Sequence, residues 1–398
     1  MISVRAGQNH ILSRITTAVA PELLPVTRAL GRVLAEDFKA PIDVPPADNS
    51  AVDGYAVSSA DIPASDTREL TVVADLAAGS VWPHTLAAGQ ALRIMTGAPM
   101  PAGADTVCPQ ELAARVGERV TVPADLAKGA NVRRRGEDVR AGSVVVAAGS
   151  ALRPQEIGVI ASLGFRQVAV TQRPRVALLS TGDEVVEPGT PRRPGQIYDS
   201  NRFTLRGLVS QCGAEIIDLG IVPDAVDVLR ARLLEAADVA DVVLTSGGVS
   251  VGDYDLVKEV LGEIGGIDFW QVAMQPGRPL AVGRIGRAHF FGLPGNPVAS
   301  MLAFMLFVRP ALYKLAGRRQ LFPDGWEARA DEPMPKKRGR REFKRGIVEF
   351  RDGDWRVRLT GPQGSGILTS MVAGNCLIVL DEERGDVTPG EPVLVEPF

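Results

Sequence analysis

Three glycines and two serines crowd the segment Ser246 to Asp255, directly after the apolar run Val242-Val243-Leu244. Glycines let a backbone approach an anion closely, and free N–H groups at a following helix start favour phosphate. The segment is neither a Walker loop nor a GxGxxG fingerprint, and the same glycines would serve a plain tight turn. A second strand-end loop, Ser180-Thr181-Gly182-Asp183-Glu184, brings an acidic pair that, facing Asp255, would hold a hydrated Mg²⁺ against a ligand phosphate. A third cluster, Pro45 to Val57, packs small, polar and rigid residues around Asp48, Asn49, Ser50 and Asp53. The run Lys336–Arg345 holds seven Lys/Arg in ten residues. Such a run is normally a solvated face, but Arg340 and Arg345, helped by Arg278 after Pro276-Gly277, are candidates for binding an oxyanion. Arg133-Arg134-Arg135 adds further anion-binding capacity. The three histidines lie far apart and read as structural, and no CxxC pair exists. Any metal is therefore expected on oxygen ligands, which favours magnesium over zinc.

These loops need a frame. Between Arg175 and Gly317 apolar runs alternate with helical segments: Val176–Ser180, a helix from Asn201 stopped by Gly213, Ile216–Leu219, a helix that Asp224 can cap, Val242–Thr245, a helix from about Tyr254, His289–Leu293, and a helix Val298–Leu312 started by Asn296-Pro297. That alternation predicts a doubly wound, mostly parallel α/β sheet, whose ligands bind beyond the carboxyl ends of the strands. Residues 3–19 predict a helix capped by Ser3, with Val4, Ile11, Leu12, Ile15 and Val19 as its apolar stripe. From Pro41 to Gly142 the texture is short β-runs split by Pro and Gly. From Leu321 onward it is β again, a barrel-like C-terminal domain.

Composition limits the function classes. The chain has 398 residues, 44 Lys+Arg against 47 Asp+Glu, and 45% hydrophobic residues. That length suggests two to four folded domains, and the balanced charge leaves no nucleic-acid footprint. The N-terminus lacks the apolar core of a signal peptide. The longest apolar run, Val298 to Val308, is short of the ~20 residues a membrane helix needs. The expectation is a cytoplasmic protein with no membrane attachment.

Taken in order, the strings PPADNSAVDGYAV, RIMTGAPMPAGADTV, RRRGEDV, STGDEV, GQIYDSN, TSGGVSVGDYD, MQPGRP and FGLPGNPVAS resemble the molybdopterin molybdenumtransferase family, which includes bacterial MoeA proteins and the gephyrin E-domain. REFKRG and TGPQGSGILTSM extend the likeness over nearly the whole chain. The resemblance implies four domains: an elongated linker domain (1–44 plus 143–174), a β-rich domain (45–142), a molybdopterin-binding α/β domain (175–318) and a C-terminal β-barrel (319–398). It implies a homodimer whose cleft is shared between one subunit's α/β domain and the partner's β-rich domain. The implied substrates are adenylylated molybdopterin and molybdate, with release of AMP, Mg²⁺ as cofactor, and a molybdopterin adenylyltransferase as a candidate partner.

Carried over residue by residue, the family's acidic metal and hydrolysis positions fall on Asp53, Asp138, Glu184, Asp224 and Asp255, with Glu184 and Asp255 as metal ligands. Thr96 and Arg133 match the β-rich side of the cleft. Gly247, Gly248, Ser250 and Gly252 match the pterin-phosphate loop, and Pro294 and Pro297 shape the neighbouring turn. Gln275, Arg278, Arg340, Arg345 and Ser365 fall on the molybdate side. One departure stands out: family members often carry lysine where this chain has Gln275, and many bacterial relatives also have one at Gln271. A neutral amide donates hydrogen bonds but lacks Coulomb attraction for a dianion. Two other readings remain open from sequence: a molybdopterin adenylyltransferase, which would resemble residues 175–317 alone, and a non-catalytic gephyrin-like scaffold.

Overall fold

A parallel strand covered on both faces must be apolar at every position, and that is why Val176–Leu179, Val242–Leu244 and Phe290-Phe291 read as unbroken apolar runs. In the computed structural model, which describes residues 1–247 and 256–398, these runs form the centre of a six-stranded sheet. Its order is Glu215–Val222, Arg175–Thr181, Val242–Ser246, Ala288–Leu293, Pro279–Ile285, Gly265–Gln271. The first four strands are parallel, and the last two join by antiparallel pairings. Alternate residues serve opposite faces. Val176, Leu178, Val242 and Leu244 pack with Leu205, Val209, Val298 and Leu302. Ala177, Leu179 and Val243 pack with Leu229, Leu233, Ala236 and Val260. Each fully buried Leu or Val of this kind contributes about 1.5–3 kcal/mol. The helices Asn201–Gln211 and Val226–Val239 thus lie on opposite faces, which is the doubly wound arrangement expected.

The helix expected over Val298–Leu312 runs from Pro297 to Leu315, with a π-helical turn at Phe304–Val308. At 19 residues and mean hydropathy 1.5 it is long and apolar enough to cross a membrane, unlike the shorter run read from sequence, but 78% of it is buried in the core. It is a core helix. The N-terminal helix is shorter than expected, Val4–Ser13, with the Ser3 hydroxyl accepting from the Ala6 N–H at 3.2 Å. Its stripe of Val4 and Ile11, continued by Ile15, joins the core around Phe304 and Phe307. The first turns of the chain therefore pack on the α/β sheet's helical layer rather than on the 19–44 segment. That segment builds its own small core of Val26, Leu34, Leu152, Ile160 and Val170 around the antiparallel pair Pro21–Pro25 and Gln167–Thr171.

The β-rich region is a six-stranded sheet ordered Thr106–Pro109, Gly54–Val57, Gln90–Ile94, Thr67–Leu76, Arg119–Pro123, Ala114–Val116. At the C-terminus, Arg341–Arg351 pairs with both Asp354–Leu359 and Cys376–Leu380. Trp326–Ala330 and Pro392–Pro397 complete the circuit, closing a five-stranded barrel. Met274–Gln275 leaves the α/β region to run parallel to Arg341-Glu342 at the barrel's edge.

Candidate functional site

In the α/β sheet the chain order reverses beside Arg175–Thr181, because the next strand, Glu215–Val222, lies on one side and Val242–Ser246 on the other. The crevice at such a switch point is where open α/β sheets bind ligands. Gly247 sits at its lip, with its N–H donating to the Leu293 carbonyl at 3.1 Å. Its φ is +93°, and a Cβ there would lie 2.9 Å from the Thr181 carbonyl oxygen, so only glycine fits. Gly248, Ser250, Gly252 and Asp255 lie outside the described residues. Asn201, which sequence reasoning did not single out, clamps the neighbouring pieces. Its Nδ2 donates to Ser246 Oγ at 2.8 Å and to the Gly295 carbonyl at 2.7 Å, tying the glycine strand to the Pro294–Pro297 turn. The signal available was its place in Asp199-Ser200-Asn201, at the start of a helix over the sheet.

Beside this lip three carboxylates crowd together. The Glu184 carboxylate folds over Gly182, whose added Cβ would lie 2.6 Å from Glu184 Oε2. Asp183 Oδ1 accepts from the Asp224 N–H at 3.3 Å. Partial desolvation first, then the negative charges of Asp183 and Glu184, push the carboxyl of the surface residue Asp224 above its ordinary pKa. Asp224 does not cap the following helix as the sequence suggested: Ala225 is the cap residue, and no side chain bonds there. Its carboxylate is turned instead into the acidic group. Among the described residues no set of three His, Cys, Asp or Glu side chains is arranged to hold a metal ion. The donor chemistry nonetheless fits a hard divalent cation: oxygen ligands only, with no ion pair to Asp183, Glu184 or Asp224 among the described residues.

The β-rich region carries the other candidates. Asp53 Oδ1 accepts from both the N–H (2.8 Å) and the Oγ1 hydroxyl (2.7 Å) of Thr96. Those two bonds hold the carboxyl below its ordinary pKa. The short strand Val132–Arg133 pairs with Asn49–Ser50, and the Ser50 N–H donates to Ala98 O in the turn after Thr96. Arg133 and Asp138, with Val44, Pro45, Asn49 and Glu137, line a pocket of about 500 Å³. The Asn49 Oδ1 atom is buried there without a hydrogen-bond partner. The structure therefore gathers Asp53, Thr96, Arg133 and Asp138 on one patch. Among the described residues, no hydrogen bond or ion pair joins that patch to the α/β crevice.

The oxyanion candidates meet at the seam between sheet and barrel. The Pro276-Gly277 turn lies against the helix begun by Pro297: a Cβ on Gly277 would come 3.2 Å from the Ala299 carbonyl oxygen. The Val298 N–H donates to the Ser365 carbonyl at 3.0 Å, which brings the 361–366 loop to the same helix start. Gln275 and Arg278 are exposed at this seam, and Arg340 is half-buried. Arg345 is different. It is 1% exposed, donating through Nε to Ser370 Oγ at 3.0 Å and through Nη2 to the Gly364 carbonyl at 3.1 Å. It thus underlies the Ser365 loop and is not presented to a solvated oxyanion, which corrects its assignment as a direct ligand. The rest of the basic run is no uniform solvated face either. Arg341 pairs with Asp381 at 2.7 Å, Lys344 with Glu342 at 2.9 Å, and Lys336 is buried against the Lys337 and Arg384 carbonyls. His289 is buried, and burial pulls its pKa down to about 4, in keeping with a structural role.

Comparison with known proteins matches each region. Residues 2–164 match the MoeA N-terminal region (domain I and II), 177–314 a probable molybdopterin binding domain, and 327–398 the MoeA C-terminal region (domain IV). The chain is 40% identical to a molybdopterin molybdenumtransferase of Haemophilus influenzae, over 100% of this chain and 99% of that protein. It is 36% identical to molybdopterin molybdenumtransferase 2 of Mycobacterium tuberculosis, over 98% of this chain and 99% of that one. The crystal structure of the molybdopterin biosynthesis moeA protein from Pyrococcus horikoshii superposes with a TM-score of 0.88 at 32% identity, covering 100% of both chains.

Proposed function

The chain belongs to the MoeA family of molybdopterin molybdenumtransferases, and from that premise we propose that it inserts molybdenum into molybdopterin during molybdenum cofactor biosynthesis. The observation that carries this reading is the meeting of three segments at one helix start: the Gly247 lip tied through Asn201 to the Pro294–Pro297 turn, the Pro276-Gly277 turn, and the Ser365 loop. An adenylylated pterin held by its phosphate at the lip would then place its dithiolene near an oxyanion held at the seam. Relatives matched over the full length carry the molybdenumtransferase name, which does not favour an adenylyltransferase or a scaffold.

The reaction as we read it consumes adenylylated molybdopterin and molybdate and releases AMP. Breaking a phosphoanhydride calls for positioning and charge stabilisation more than a covalent nucleophile. Glu184, with Asp224 nearby, and Asp255, as the resemblance implies, would hold Mg²⁺, and the bound ion would neutralise phosphate charge. Asp53, fixed in direction by Thr96, orients the attacking oxygen. Arg133 and Asp138 position the nucleotide side. Gln275, Arg278, Arg340 and Ser365 receive molybdate. Because no hydrogen bond or ion pair among the described residues joins Asp53 or Asp138 to the crevice, and the family resemblance implies a cleft made by two subunits, we read each cleft as shared across a homodimer. Three free cysteines, Cys108, Cys212 and Cys376, suit the reducing cytoplasm.

The test is AMP release from adenylylated molybdopterin with molybdate and Mg²⁺ varied separately. Dependence on both, lost in Glu184→Gln, supports the reading. AMP release independent of molybdate, or AMP transfer from ATP to molybdopterin, would overturn it.

A further inference from the structure

Behind the acidic group lies a guanidinium that the mechanism does not use. Arg202, on the first turn of the helix after Asn201, is only 5% exposed. Each of its three nitrogens serves a different carboxylate. Nε donates to Asp199 at 3.1 Å, Nη1 to both oxygens of Asp218 at 2.8 Å, and Nη2 to both oxygens of Glu187. Among the described residues the outer Arg206 pairs with Asp218 alone, at 3.3 Å.

The three carboxylates belong to the pieces that carry the site's acids. Glu187 follows the short strand Val185-Val186, which runs parallel to Ile197-Tyr198. That ribbon is held by N–H bonds from Ile197 to Glu184 O (2.8 Å) and from Asp199 to Val186 O (2.9 Å). It carries Asp183 and Glu184 on its leading edge. Asp218 lies on Glu215–Val222, the strand that delivers Asp224.

We infer that Arg202 is a positioning residue: it sets the separation of Glu184 from Asp224 by pinning the ribbon to the strand. This rests on the reading that those two acids serve the reaction. A buried guanidinium is a poor device for stability alone, since its desolvation offsets most of what its partners return, and apolar packing would do as well. Three carboxylates gathered from separate elements need a planar group with donors pointing three ways. A lysine ammonium cannot supply that geometry.

The test compares Arg202→Lys and Glu187→Gln with wild type and with Arg206→Ala as control. Arg202→Lys keeps the charge and loses the three-way geometry; Glu187→Gln releases only the ribbon and spares the buried centre. Expected for Arg202→Lys is a kcat for AMP release lower by roughly tenfold to a hundredfold, the scale of an ~1 Å misplacement, with KM for the adenylylated pterin little changed. Glu187→Gln should shift kcat the same way by less. In both variants the amides of 183–187 and 197–199 should exchange hydrogen roughly tenfold faster while those of 176–180 stay protected. Arg206→Ala should change neither. Unchanged kcat and unchanged ribbon exchange in Glu187→Gln would overturn the inference. So would faster exchange spread evenly over the sheet, which marks a folding role. Exchange is read without turnover, so a wild type that releases no AMP would sink the proposed reaction while leaving the pinning testable.

Discussion

The two acidic patches of this protein solve opposite problems. In the β-rich region Asp53 is already satisfied, since one oxygen takes both donors of Thr96 and the carboxyl is held below its usual pKa. In the α/β crevice Asp224 faces the like charges of Asp183 and Glu184, and its carboxyl is pushed up. The first is a fixed anion with a fixed direction. The second is a concentration of negative charge that lowers its energy when a cation arrives. A group that must orient a reacting oxygen benefits from the first arrangement, and one that must bind a metal on demand benefits from the second.

The largest test of that division separates the patches onto different subunits. Asp53→Ala and Glu184→Gln homodimers should each lose on the order of 10²–10³-fold in AMP release, the usual scale for removing a charge-positioning group. A co-expressed heterodimer should recover activity at one of its two clefts, because that cleft contains neither substitution. A sedimenting monomer, or a heterodimer as inactive as its parents, breaks the shared-cleft reading.

A smaller effect is expected at the seam, where Gln275 places a neutral, exposed side chain before the Pro276-Gly277 turn. Gln275→Lys adds a cation beside the Pro276-Gly277 turn. At an exposed position this is worth about 1 kcal/mol, roughly fivefold in molybdate affinity. Arg278→Ala should raise the molybdate concentration for half-maximal AMP release by a similar factor and leave pterin binding unaltered. If neither substitution moves that concentration, the oxyanion sits elsewhere.

How much of this was legible in the sequence depended on whether burial leaves a local trace. The strands Arg175–Thr181 and Val242–Ser246 announced themselves, because cover on both faces demands apolar residues throughout. The glycine at 247 was legible for the same kind of reason, a conformation that only glycine adopts cheaply. Arg345 was not. A cation inside a basic run reads as solvated, and only the packing of Gln363–Ser370 over it, far along the chain, buries it. Arg202 was hidden similarly, since Glu187, Asp199 and Asp218 converge on it only after the sheet has formed. Asp224 misled because an acid before a helix usually caps it, whereas here the backbone N–H groups of Gly182 and Asp183 hold the same carboxyl. The helix expected over Val298–Leu312 ends three residues later, at Leu315, and it passes Pro310 where the π turn relieves the missing bond.

The crevice side can be tested by pH. A carboxyl whose folded pKa lies above its unfolded value favours the protonated folded state. The contribution of this group is therefore most favourable below the ordinary value of 3.8 and declines as pH rises through the elevated folded pKa. Above that window ionised Asp224 costs stability, so Asp224→Asn should melt higher than wild type near neutrality. The difference should vanish as pH falls below 3.8. Activity should fall in the same variant. Equal melting curves at all pH values would mean the three acids are not crowded, and would erase the contrast with Asp53.

The last and smallest effect concerns Asp53, where the sign is reversed. Its carboxyl is held low by two bonds from one residue, the backbone N–H first and the hydroxyl second. Thr96→Ala removes only the hydroxyl, so the carboxylate keeps its principal partner and its direction while losing part of the preference for the ionised form. The folded pKa should move back up toward 3.8 without reaching it. For a lowered carboxyl, the stabilising contribution is present above the unfolded pKa and is lost as pH falls through the folded one. That window narrows in Thr96→Ala. The acid limb of the kcat/KM profile should therefore shift to higher pH, with the plateau at neutral pH nearly intact, because Asp53 is ionised there in either protein. A plateau that collapses instead would mean Thr96 touches substrate directly. Asp53→Asn, which cannot ionise, separates the two cases: adding Thr96→Ala to it should cost nothing further when the hydroxyl acts only through Asp53, and a further loss marks direct contact with substrate.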